Sequence, residues 1–352
     1  MKTRLTLLVI SFFIFQLAKA QTVHTVDNRP ESGAQFTSVQ AAIDAASAGD
    51  IIYIHPSPTS YGSIDITKTI KLVGPGHNPA NSGGLTANLT AVDLYADAAN
   101  SVITGLVVTN ISAYSFGSNT HNIQIINNRI TSSIQGYFTN GHSDNWIVEG
   151  NYFSTSYANY AIYADNLNNL QVRNNIIEGR INESNHTNVF TNNLFLQDDP
   201  SGDAQIFISS NGITSPIVAN NMFVFTDPDI TGLTSTGTAI TYTNCLTWKS
   251  AGDVLLATLP GSGNIDNTDP QFSSIPTSVD DYYNNDYSLN VGSPAIGMAT
   301  DGGDIGVFGR NFPYDVNGRP HSMPFPESMT ILNTVVQPGQ DLNVEFQATQ
   351  KN

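Results

Sequence analysis

Cysteine is nearly missing from this 352-residue chain: Cys245 is the only one. No intramolecular disulfide can form, so stability must come from packing rather than from covalent staples. Charge is scarce as well. Asp, Glu, Lys and Arg make up 12% of the residues, and 29 acidic side chains against 13 basic ones leave a formal net charge of −16. That balance excludes a nucleic-acid partner, whose phosphates demand Lys and Arg. It also disfavours simple electrostatic capture of an anionic polymer, while permitting divalent cations. No long apolar run occurs after the N-terminus, so no membrane-spanning helix is expected in the body of the chain. Between Ser101 and Leu246 no segment has room for a helix of 10–12 residues.

What fills that stretch is a repeat. Gly105, Asn128, Asn151, Asn175, Asn193, Asn221 and Asn244 recur at steps of 23, 23, 24, 18, 28 and 23 residues. The surrounding text repeats too, as in Asn122–Ile130, Asn145–Phe153 and Asn169–Ile177. A period of this size signals stacked supersecondary units. Three residues before the anchor stand Val102, Ile125, Val148, Val172, Phe190 and Val218; two after it stand Val107, Ile130, Phe153, Ile177, Phe195, Phe223 and Leu246. These are short alternating runs of β type. Each unit holds about three short strands and three turns, and stacked units would pair in parallel about 4.8 Å apart. One unit cannot bury its apolar face alone, but a stack can. Identical amides at strand separation can hydrogen-bond as ladders. The Asn anchors, and a second column at Asn122, Asn145 and Asn169, are therefore expected to hold turns together. Cys245, beside a core column, reads as a small buried apolar residue.

The repeat resembles that of the right-handed parallel β-helices of the pectate-lyase-like superfamily, over most of the chain. The fold this implies is all-β: a single-stranded parallel β-helix. The string Phe36–Gly76 resembles the opening of secreted members, with a helix from Phe36 to Gly49 (Thr37 and Gln40 forming a capping box) plugging the open end. Asn264–Phe272 and Asp286–Gly297 resemble the usual ending, continued by Asp301–Gly309. Pro313–Pro326 reads as a Pro-rich tie, and Met329–Ala348 as a small hairpin around Pro338 and Gly339. The last part resembles tails of secreted β-helix proteins of Bacteroidetes-type bacteria. The resulting divisions are 1–20, 21–310 (coil repeats about 101–248) and 311–352. The first is a signal peptide: Met1–Arg4 is basic, Leu5–Leu17 apolar, and Ala18-Lys-Ala20 fits a cleavage site. Export to the periplasm, cell surface or medium is expected, as a monomer.

Such enzymes act in one long groove along a sheet and the turn before it, and the superfamily spans lyases, hydrolases, epimerases, esterases and adhesins, so fold does not name the chemistry. Placing the first strand of each unit 12–14 residues before the anchor points Phe138, Ile162, Ile181 and Ile208 inward. Tyr137, Thr139, Ala161, Tyr163, Arg180, Asn182, Phe207 and Ser209 then point outward, with Tyr157, Tyr160 and Glu178 contributed by the preceding turns. Tyr137, Tyr160, Tyr163 and Glu178 are the substrate-binding candidates, because aromatic faces beside polar groups suit sugar stacking. Arg180 is the catalytic candidate; Arg129 and Arg173 are the other basic residues of the coil body. The competing reading makes the tyrosines sheet decoration and Arg180–Glu178 a surface ion pair. His121, Asp144, Asn168 and His186 form a turn column, either metal ligands or polar turn residues. Asp198, Asp199 and Asp203, and also Asp266 and Asp269, supply oxygens suited to Ca²⁺ or simply to loop solvation. Two functions stay open: a protein binding or cleaving a polysaccharide, with an acidic glycan suspected and lyase chemistry ranked before glycoside hydrolysis, or a non-catalytic surface or spacer β-helix.

Overall fold

The computed structural model describes residues 21–113, 120–136, 142–156, 158–164, 166–182, 187–197, 203–208, 215–236, 240–276, 278–279, 281–310, 312, 314–321, 324–333 and 337–350. The expected signal peptide and Tyr137, Phe138, Thr139, Tyr157, Asp165, His186, Asp198, Asp199 and Ser209 lie outside these residues.

The chain is a parallel β-solenoid. One wall is an eleven-stranded parallel sheet that starts at Val23–Val26 and Ile51–Ile54 and ends at Gly261–Ser262. The second, thirteen-stranded sheet begins with Ser63–Ile66, followed by the long strands Asn88–Leu94, Val107–Ala113 and Arg129–Gln135. There it divides. The start of Arg129–Gln135 pairs with Tyr152–Ser154, and its end pairs with Tyr160–Tyr163. From that coil onward each turn of the solenoid has three sides. The expectation of three short strands per unit thus holds for the later coils, whereas the early coils keep two of them fused.

Ile52, Leu72, Ile103, Ile125, Val148, Val172, Phe190 and Val218 stack in register through the first sheet. None exceeds 1% exposure, so the column is the spine of the core. Two anchors need correction. Gly105 aligns with Asn127, and Asn244 with Asn220, so the true equivalents of the anchor are Leu106 and Cys245. Correspondingly Val102 and Val107 are half-buried, and Ile103 and Val108 take the inward positions. Thr247, not Leu246, faces Phe223 in register. Each turn carries two adjacent positions open to Asn, and in these two turns the inner one is Leu106 or Cys245, which leaves Gly105 or Asn244 as the more turn-like residue.

The inner position forms a buried ladder. The side-chain amides of Asn128, Asn151, Asn175 and Asn193 each donate to the carbonyl of the next, at 2.9–3.1 Å, ending at Asn221. The outer position adopts left-handed backbone, with φ of 48–58° at Asn127, Asn174, Asn192, Asn220 and Asn244. Asn tolerates this region better than other non-glycine residues. The second column expected from the sequence is an exposed ladder: Asn145 donates to Asn122 at 3.1 Å, and Asn169 to Asn145 at 3.3 Å.

The cap helix is shorter than its sequence pattern, Val39–Ala45. Ser38, rather than Thr37, is the N-cap, accepting the Ala41 N–H at 3.3 Å. Gln40 reaches across to both backbone groups of Asp65. Val39, Ala42 and Ile43 seal the first coil.

The segment after the last coil does not extend the stack. It returns along the outside as a strap, because one outer wall is itself apolar. Tyr152, Ile176, Leu194, Met222 and Leu246 point away from the coil and are buried in a second core with Val279, Tyr282, Tyr287, Ile305 and Tyr314. The left-handed column clasps this strap residue by residue. Asn244 donates to Met298 O, Asn192 to Asp304 O, Asn174 to Val307 and Gly309 O, and Asn127 to Arg319 O. Asn220 makes a two-way contact with Thr300. Gly150 takes the same turn position where Phe312 comes closest: a Cβ there would lie 2.7 Å from the ring. Beyond the strap, Phe325–Ile331 and Val344–Thr349 form the antiparallel hairpin expected at the C-terminus. Among the described residues no helix is long and apolar enough to cross a membrane.

Candidate functional site

The division of the second sheet produces a second wall, on which the described apolar residues of the strap do not pack. Along it, outward positions align strand by strand: Asp65, Asp93, Ser112, Gln135, Tyr163 and Asn182. Asp65 is exposed and the other five are half-buried. At about 4.8 Å per strand the row runs roughly 24 Å. It crosses from a carboxylate pair, through hydroxyl and amide groups, to an aromatic pair.

Two of the substrate-binding candidates come together here. The rings of Tyr160 and Tyr163 lie 4.9 Å apart at 55°. A β-bulge at Ala161 brings both to the same side, although three positions separate them. Alternation alone would have put them on opposite faces. Tyr160 faces Arg180 in register on the next strand, so the catalytic candidate adjoins the aromatic pair. The bulge also turns Ala161 inward, where it is fully buried rather than outward as expected. One coil further, Phe207 packs inside against Phe190 and Phe195 while Ile208 is half-buried opposite Asn182, the reverse of the expected pair. The interruption at 197–203 had hidden that one-residue shift.

Glu178 is separated from Arg180 by a corner at Gly179, whose φ is +102°. It lies on the neighbouring strand Ile176–Glu178 and accepts the Tyr152 hydroxyl at 2.9 Å. Tyr152 stacks on Tyr282 of the strap, 3.9 Å and 5° apart, and its burial raises the phenol's pKa far above the ordinary range. Glu178 therefore braces the strap side of the corner. Arg129 serves the same region, with its guanidinium 5.5 and 5.6 Å from the Tyr152 and Tyr283 rings. Arg173 forms a two-point pair with Glu149, at 2.6 and 3.2 Å.

Sequence reading missed the carboxylates. Asp65 and Asp93 are 28 residues apart but are direct neighbours across two strands. Burial, and then the Asp65 charge, push the Asp93 carboxyl above its usual range. The alternation Ser63–Ile66 and Ala91–Leu94 would have aligned them, had the first coils been included in the repeat.

His121, Asp144 and Asn168 do share one turn column. His121 Nδ1 accepts the Asp144 N–H at 3.1 Å, and Asn168 donates to Asp144 at 3.0 Å. Asp266 takes the Leu259 N–H and Asp269 the Gln271 N–H, both of them turn bonds. Asp203 begins the strand Asp203–Ile208. Among the described residues no group of three or more His, Cys, Asp or Glu is arranged to hold a metal ion.

No protein-family model matches the chain, and no curated protein matches it.

Proposed function

We propose that this solenoid binds a polysaccharide along the second wall, as an exported protein of the pectate-lyase-like kind. The observation that carries the reading is the meeting of Tyr160, Tyr163 and Arg180 on one outward face. Half-buried tyrosines offer apolar faces for sugar rings and hydroxyls for their edges. A guanidinium one strand away suits a uronate carboxylate through a two-point fork, which favours an acidic glycan at that end. The hydroxyls and amides of Ser112, Gln135 and Asn182 continue the row in register, so an extended chain meets polar partners at each strand.

Titration of purified protein with uronic-acid oligomers tests this. If sugar stacking matches aromatic pairing, each ring contributes about 0.5–1.5 kcal/mol. Replacing Tyr160 and Tyr163 by Ala together should then weaken binding about tenfold. Unchanged affinity in the double variant refutes the site.

Glycan cleavage is the second reading, favoured by the Asp65–Asp93 pair. Two neighbouring carboxyls in different surroundings, one with its pKa raised by burial and by its neighbour's charge, are suited to dividing into acid and base roles. Release of reducing ends by the native protein, abolished in Asp93→Asn, would establish it.

A further inference from the structure

Where the strap crosses the first sheet it leaves a cleft of about 800 Å³, a size suited to a small ligand. The cleft lies on the strap side of the solenoid, away from the Tyr160–Tyr163 wall. Its floor is Glu149 and Arg173, and these are already satisfied: both Glu149 oxygens and the Arg173 Nε and Nη2 pair with each other, and Nη1 donates to Gln171 at 2.7 Å. The other charged groups belong to the strap. Asp301 takes the Gly303 N–H on Oδ1, and Asp304 takes the Gly297 N–H on Oδ1. Arg310 stands 3.9 Å from the second Asp301 oxygen, a loose contact between side chains about half exposed. Its φ of 65° is a conformation that long side chains rarely adopt, and the tight turn after Gly309 delivers the guanidinium to the cleft. Phe308 supplies an aromatic wall, 37% exposed.

The balance of unused groups decides what fits. Three carboxylates meet two guanidiniums, so the cleft carries one net negative charge. With the floor pair self-neutralised, the acceptors left over are the second oxygen of Asp304 and that of Asp301, which Arg310 approaches only to 3.9 Å. An aromatic face attracts cations through its quadrupole. The whole chain, at −16, concentrates cations around itself. We propose that this cleft binds a small ligand through a primary ammonium group, which lies between the Asp301 and Asp304 carboxylates with the Phe308 ring beside it. Arg310 then donates to an oxygen of the same ligand, which suits the hydroxyls of an amino sugar. The inference is independent of the polysaccharide reading, because it uses none of the residues of the wall.

Calorimetric titration of the full chain with glucosamine, N-acetylglucosamine and 1,4-diaminobutane tests it. Acetylation removes the charge, so N-acetylglucosamine should bind at least about tenfold more weakly than glucosamine. Binding of glucosamine alone assigns the site to an amino sugar; equal binding of the diamine assigns it to the ammonium group by itself. The double variant Asp301→Asn/Asp304→Asn keeps both carbonyl oxygens that accept Gly303 and Gly297, so the strap remains seated, which an unchanged melting temperature verifies. It should lose affinity for the amine about tenfold or more. Failure of both amines to bind, equal binding of the acetylated sugar, or unchanged affinity in the double variant overturns the proposal. So does loss of amine binding in Tyr160→Ala/Tyr163→Ala, which would put the ligand on the other wall.

Discussion

Replacing Asn175 by Ala tests whether the inner ladder holds the coils together or merely fills them. Asn175 is fully buried. Its carbonyl oxygen accepts the Asn151 backbone N–H at 2.8 Å and the Asn151 amide at 3.0 Å. Its own amide donates to Val148 O at 2.8 Å, Arg173 O at 2.9 Å and Asn193 at 3.0 Å. Alanine removes every one of these side-chain bonds. The backbone N–H of Asn151 and the carbonyl of Val148 would lose their ladder partner in a place water cannot enter. A buried polar group left unpaired costs about 1–3 kcal/mol, so two such groups set the loss on the order of 4 kcal/mol. Asn145→Gly is the matched control. Asn145 belongs to the exposed ladder, and its φ of 61° is one glycine adopts freely. Water replaces its two ladder bonds, so the loss should stay near 1 kcal/mol or below. Urea unfolding, read with hydrogen exchange because stacked repeats can open section by section, gives both numbers. Equal losses in the two variants would refute the reasoning, since only the first leaves polar groups unpaired where water cannot reach them.

Two further outcomes follow from buried groups. Cys245 occupies the ladder position after Asn221, and its N–H donates to Asn264 at 3.0 Å. Burial pushes its thiol up to about 12, so iodoacetamide should label it only on unfolding, and Cys245→Asn should reconnect the ladder and add about 1 kcal/mol. Labelling at the native rate of a free thiol, or net destabilisation by Asn, contradicts this. His77 is completely buried beneath the strap, with Nδ1 3.1 Å from the Tyr283 hydroxyl and Nε2 unpartnered. Burial, and then the Arg129 charge, lower its pKa from 6.5 to about 3. Above pH 6.5 the ring is neutral folded or unfolded, and stability is full. Below that the unfolded chain takes up a proton that the folded chain refuses, so stability falls as pH drops from about 6.5 towards 3, by on the order of 4 kcal/mol. His77→Gln should flatten that part of the pH–stability curve; an unaltered slope rules out the assignment.

The solenoid was legible because it is local and periodic. Val148, Val172 and their column recur at nearly constant steps, and a buried wall tolerates no slip of a single residue without turning every side chain over. Legibility failed where the period was disturbed. Leu106 and Cys245 occupy anchor positions without being Asn, so an Asn anchor points to the adjacent Asn244, and the 23-residue step before Asn128 points to Gly105. The Ala161 bulge and the shift at Phe207 leave no mark in the alternation of strands only four and six residues long. The candidate site suffered most. Its tyrosine pair is legible in the sequence, and its carboxylate pair is not, because the opening coils fall outside the repeat of about 101–248.

The strap explains why the Asn-rich texture has two meanings. Both adjacent Asn positions of a turn look alike in the sequence, and both are buried in Asn174–Asn175, Asn192–Asn193 and Asn220–Asn221. Their partners differ in kind. Asn175 bonds to coils 18–27 residues away, a distance set by the repeat, and so its role can be read from the period. Asn174 bonds to Val307 and Gly309, 133 and 135 residues away, and Asn127 to Arg319, 192 away. Nothing periodic announces those contacts. What does announce them is the far wall of the same strands, where Tyr152, Ile176, Leu194 and Met222 stand at outward positions that an exposed sheet would fill with polar groups. A wall apolar on both faces must be covered. The C-terminal segment, carrying Tyr282, Tyr287, Ile305 and Tyr314, covers it. Among the described residues the wall bearing Tyr160, Tyr163 and Arg180 carries a mainly polar outer row instead, with Asp93, Ser112, Gln135 and Asn182 in register with Tyr163, and the strap's apolar core does not pack on it.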